Sequence, residues 1–131
     1  IVYFCLMKKL TTFVTSTIAS YLLLGSVSFV SSQVIWSPIV SNPSFDVGMN
    51  YDSIKRSNGI AKFRILTTDK SDRSMVYEDL ELDCQQKTYR SVWAKRYDWR
   101  SKVKGETSTP SNWQAVQPNT VISVISTKVC N

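Results

Sequence analysis

Phe45-Asp46-Val47-Gly48-Met49-Asn50-Tyr51, the run Lys55-Arg56-Ser57-Asn58-Gly59, and Ile60-Ala61-Lys62-Phe63-Arg64-Ile65-Leu66 form the stretch on which the fold turns. The first and third segments alternate apolar with polar or small residues, the period of a strand with one buried face. Between them Asn58-Gly59 is the strongest hairpin signal in the chain, because both residues accept the positive φ of a tight turn. The returning strand then places Ala61, Phe63 and Ile65 on one face.

Reading outward, residues 67–74 are polar and make the next connection. Residues 77–84 carry Leu80, Leu82 and Cys84 on one face, with Glu81 and Asp83 on the other. Residues 88–97 are rich in β-branched and aromatic side chains, which suit a pleated surface. If Gln85-Gln86 is a two-residue connection, Glu81 faces Arg90 and Leu82 faces Tyr89. Gln-Gln is a poor tight turn, and a longer loop is the alternative. In a regular strand Tyr89, Trp93 and Tyr97 share one face, and Arg90 and Arg96 share the other.

Beyond Pro118 the period changes. Val121, Val124, Ile125 and Val129 fall on one stripe of a helix, with Asn119 or Thr120 as N-cap and Lys128 near the negative end of the dipole. The β-branched content also suits a strand. Toward the N-terminus, residues 36–44 form an extended entry punctuated by Pro38 and Pro43. The sum is an α+β fold: an antiparallel sheet of four to six strands with a packed C-terminal α-helix.

Residues 1–32 are expected to lie outside that fold. Met7-Lys8-Lys9, the apolar stretch that follows, and Ser31-Ser32 before Gln33 read as a secretory signal peptide starting at Met7. Residues 1–6 read as an upstream extension. An uncleaved anchor is the alternative, although Thr and Ser dilute the apolar stretch. Removal of the segment leaves a single domain, 33–131, and lowers the net charge from +6 to +4, since Lys8 and Lys9 leave with it. Two of the three cysteines remain, Cys84 and Cys130. In an oxidising compartment they read as one disulfide, with two free thiols as the alternative.

Composition excludes a good deal of chemistry. The 131 residues contain no histidine, so neither a Ser-His-Asp triad nor a His-bearing zinc site can form. With four glycines there is no phosphate-cradling loop. No cofactor and no metal are implied. Acidic residues cluster at Glu78, Asp79, Glu81 and Asp83, which read as solvated charge. The chain therefore reads as non-enzymatic.

What stands out is residues 87–104, with seven basic residues and one acidic. Arg90, Arg96, Arg100, Lys102 and Lys104 are the candidate cationic edge, and Trp99, between Asp98 and Arg100, is the candidate exposed anchor. Such an edge attracts polyanions, in an envelope a sulfated glycan, lipopolysaccharide or an acidic protein. The competing explanation is edge protection by basic residues.

The order of motifs resembles a known family. Trp36 is followed by Tyr51-Asp52-Ser53-Ile54-Lys55-Arg56 before the Asn-Gly turn. Leu82-Asp83-Cys84, Tyr89-Arg90, Trp113 with Val116 and Pro118, and a close on Lys128-Val129-Cys130 complete it. This is similar to the surface-adhesin protein E family of small exported bacterial proteins, over residues 34–131. The resemblance implies an antiparallel sheet with a C-terminal helix, an outer-surface role, and binding of host matrix and serum glycoproteins. The founding adhesin is a lipoprotein, whereas no cysteine stands just after the apolar core here.

The expected partners are thus a host glycoprotein or a polyanion, with no nucleic acid and no membrane contact except through the signal peptide. Strand pairing at an open edge would permit a homodimer. A soluble periplasmic accessory protein is the first alternative reading, and a small periplasmic hydrolase or inhibitor the second.

Overall fold

A computed structural model describes residues 33–131. The expected signal peptide and Cys5 lie outside the described residues.

Seven strands alternate in direction: β1 (Ser37–Ser41), β2 (Phe45–Ser57), β3 (Ile60–Asp69), β4 (Met75–Asp83), β5 (Thr88–Tyr97), β6 (Val103–Thr107) and β7 (Gln114–Ala115). A helix, α1 (Val121–Val129), closes the chain. The first six strands lie side by side in sequence order, and β7 pairs with β5. The sheet thus exceeds the four to six strands expected, because the short β7 fills in beside the N-terminal half of β5 at Thr88 and Tyr89.

The decisive hairpin forms as its sequence requires. Ser57 pairs with Ile60, and Asn58 (φ 50) and Gly59 (φ 78) make the turn between them. Lys55, Arg56 and Ser57 belong to β2 rather than to the turn. In the hairpin of β4 and β5, Glu81 faces Arg90 and Leu82 faces Tyr89. The connection spans residues 84–87, with Lys87 at positive φ and Asp83 accepting the Gln85 and Gln86 amides.

The core lies on one face of the sheet. Met49, Ala61, Phe63, Leu82 and the helical residues Ile125 and Val129 are almost completely buried there, with Val47, Ile65, Leu80 and Ile122 around them. In α1, Ile125 and Val129 are buried as expected, but Ile122 completes the buried stripe, Val121 is only partly covered, and Val124 faces solvent. The N-cap is Thr120, whose hydroxyl accepts from the Ser123 amide in a reciprocal capping box. Cys84 and Cys130 form a disulfide with Cα atoms 5.6 Å apart, and Arg56 donates to the Val129 carbonyl at 2.9 Å. Both contacts hold the end of α1 against the β2–β4 region of the sheet.

Two irregularities set which side chains appear on the opposite, outer face. Between Asn50 and Lys55, four residues of β2 face one residue of β3, a wide bulge over Tyr51-Asp52-Ser53-Ile54. Between Asp79 and Leu80, Val92 is an extra residue of β5. An extra residue inverts the facing of everything beyond it.

Candidate functional site

The strand expected to present a cationic edge is an interior strand. β5 pairs with β4 on one side, and with β6 and β7 on the other. Between β6 and β7, Ser111 bonds the Ser91 backbone in both directions. The single-face grouping of Tyr89, Trp93 and Tyr97 is overturned as well. Val92 inverts the pattern, so Tyr89 lies against the core beside Leu82 while Trp93 and Tyr97 lie on the outer face. Arg90 joins them there, and Arg96 points to the helix side.

On the outer face charged and aromatic side chains interlock. The Arg64 guanidinium grips both oxygens of Asp79, at 2.6 and 2.8 Å, and lies 4.8 Å from the centre of the Trp93 ring. The Trp93 indole donates to Glu106 at 3.0 Å, and Lys95 approaches the same carboxylate at 3.3 Å. These two donors hold Glu106 below the usual carboxylate range, and Glu106 in turn raises Lys95. Beyond Lys95, Tyr97 meets Tyr77 edge-on at 5.5 Å, and Tyr77 meets Trp36 at 5.7 Å. Arg90 is committed to this structure: it bonds Glu81 at 2.8 Å and stacks on Trp113 at 4.7 Å.

Trp99 sits at the end of the sheet, in the loop of residues 98–102. Asp98 builds that loop by accepting the Arg100 and Lys102 amides, each at 2.9 Å, and Ser101 turns it at φ 62. Those amides, the Lys102 one foremost, hold the Asp98 carboxyl low, with help from Lys104. Trp99 is 54% exposed, with the Arg100 guanidinium 4.5 Å from its ring centre and that of Arg73 at 5.4 Å. Lys102 and Lys104 are exposed, and Lys104 reaches Asp98 at 3.8 Å.

Arg73 belongs to the loop between β3 and β4, where it adopts φ 58. Asp69 and Asp72 brace that loop through Ser71 and Ser74, and these bonds depress both carboxyls. Arg96, paired with Val76 next to the Met75–Tyr97 end of the ladder, lies at this same end, where its charge helps hold both aspartates low. The structure thus gathers Arg96, Trp99, Arg100, Lys102 and Lys104 around two adjacent loops, adds Arg73, and leaves Arg90 elsewhere. Arg73 was missed because nothing within residues 67–74 distinguishes it. The signal was the hairpin register, which, continued through the Val92 bulge, sets Met75 against Tyr97 and the two loops side by side.

Among the described residues no group of three metal-ligating side chains forms, and no helix is long and apolar enough to cross a membrane. No curated protein and no solved structure matches the chain. The family model for surface-adhesin protein E matches residues 36–131, from the tryptophan that opens the aromatic row to the last residue after the disulfide, and the chain belongs to that family.

Proposed function

We propose that this chain is an exported, non-enzymatic envelope protein that works as an adhesin, gripping an anionic host or envelope macromolecule at the two-loop end of its sheet. Trp99 carries the reading. It is a large apolar ring left in solvent and flanked by two guanidiniums, the residue types that anchor protein interfaces and bind carboxylate or sulfate groups. Arg96, Lys102 and Lys104 extend the positive field around it. Family membership supports the surface role, and the mature domain is taken as residues 33–131.

Reversing Arg96, Arg100, Lys102 and Lys104 to glutamate is expected to cut the salt needed for elution from heparin by more than half, with the melting temperature unchanged. Unchanged elution overturns the site. Protease treatment of intact native cells tests the location: digestion supports surface display, and protection until the outer membrane is breached assigns the protein to the periplasm.

A further inference from the structure

Lys55 and Lys62 stand directly opposite each other where β2 rejoins β3 after its bulge. Both are exposed on the outer face, and neither forms an ion pair among the described residues. Like charges placed opposite each other across an antiparallel pair destabilise it. None of the nearby carboxylates pairs with them: Asp83, diagonal to Lys62, accepts the Gln85 and Gln86 amides. Asp79 gives both oxygens to Arg64, and Glu81, which faces Lys62, bonds Arg90. Asp52, on the bulge, pairs with neither lysine.

The bulge opens a cleft of about 410 Å³ here, lined by Asn50, Ser53, Lys55, Lys62, Arg64 and Asp79. Arg64 also lines an adjoining groove of about 390 Å³ with Tyr77, Trp93, Tyr97 and, from the Trp99 loop, Ser101. Two unneutralised ammonium groups are thus joined, through Arg64, to a run of aromatic rings. An acidic sugar chain complements this pattern, since it carries anions at intervals and presents apolar ring faces between them.

We propose that Lys55 and Lys62 form an anion subsite for an acidic oligosaccharide, with its sulfate or carboxylate groups on the two lysines and its sugar rings directed toward Trp93 and Tyr97. Lys62 lies about 20 Å along β3 from the Arg73 loop, at roughly 3.3 Å per residue. The two lysines are therefore remote from the Trp99 loops, and only the far end of the aromatic groove, at Ser101, reaches them.

Two-dimensional NMR of the purified, disulfide-bonded protein titrated with a heparin-derived tetrasaccharide tests this. Shifts are expected at residues 50–55, 62–64 and 93–97. Lys55→Gln with Lys62→Gln is expected to weaken at least tenfold the binding read from the shifts of residues 50–55 and 62–64, with the melting temperature unchanged or raised because the repulsion is gone. The pair Arg100→Glu and Lys102→Glu should leave the shifts around Lys55 and Lys62 in place. Unchanged affinity at residues 50–55 and 62–64 in the lysine variant, shifts confined to residues 98–104, or equal binding of neutral maltotetraose would each overturn the proposal.

Discussion

Asp98 shows how one side chain can organise a binding loop. Its carboxylate accepts two backbone amides and its carbonyl accepts a third, from Ser101. Asp98→Ala removes the carboxylate bonds, and Trp99 should then lose its fixed place between the guanidiniums. The expected result is weaker heparin retention with little loss of global stability, read together from elution salt and the melting curve. Because the carboxyl is held below its ordinary value, the loop order is complete above the unfolded pKa near 3.8 and is lost as pH falls through the lowered one. Tryptophan fluorescence should therefore be flat from pH 7 to about 5 and change only in stronger acid. A transition near pH 6 would contradict this. Arg64 makes the opposite case: its bidentate bond to Asp79 is geometrically good, yet the side chain is 42% exposed. Arg64→Lys is expected to cost no more than about 1 kcal/mol in urea denaturation.

At the scale of elements, the sequence foretells pairing better than facing. Asn58-Gly59 and the charged pair Glu81–Arg90 were legible because both depend on local turn chemistry and period-two alternation. The Val92 bulge was not, since an extra residue is defined by the partner strand and leaves no mark of its own on the sequence. The wide bulge at residues 51–54 escaped for the same reason, although its residues appear among the family motifs. The stripe of α1 was legible at Ile125 and Val129 but not at its start, because Val121, Ile122 and Val124 are all apolar and packing against the sheet decides between them. Deleting Val92 tests this account. Trp93, Lys95 and Tyr97 would turn to the helix side, taking the stacked ring from Arg64 and both donors from Glu106, so the melting temperature should fall and the near-ultraviolet circular dichroism of the outer-face aromatics should be lost. In α1, Thr120→Ala removes one half of the capping box and should cost about 1 kcal/mol.

For the molecule as a whole, the question is how nine residues of helix stay in place. A helix that short is unstable alone in water, and α1 is held by three buried side chains, the Arg56 bond to Val129 and the disulfide. The sheet, by contrast, is knit together by successive hairpins. The disulfide closes a loop across 46 positions, which corresponds to about 4 kcal/mol in the chain-entropy estimate. That is a large share of the 5–15 kcal/mol typical of a small domain. Reduction, or Cys84→Ala with Cys130→Ala, is therefore expected to lower the melting temperature by roughly 15–30 °C, at about 4–8 °C per kcal/mol for a domain of this size. The loss should begin at α1, since its removal uncovers Phe63, Met49 and Leu82 while leaving the strand ladder intact. Paired melts with and without reductant, followed in parallel by helix circular dichroism and by amide exchange in β3 and β4, separate the two parts. Early exchange at Ile125 and Val129 with protection kept at Phe63 and Leu80 would bear this out. A drop of under 5 °C would mean that the buried face of α1 holds the helix without its covalent tie.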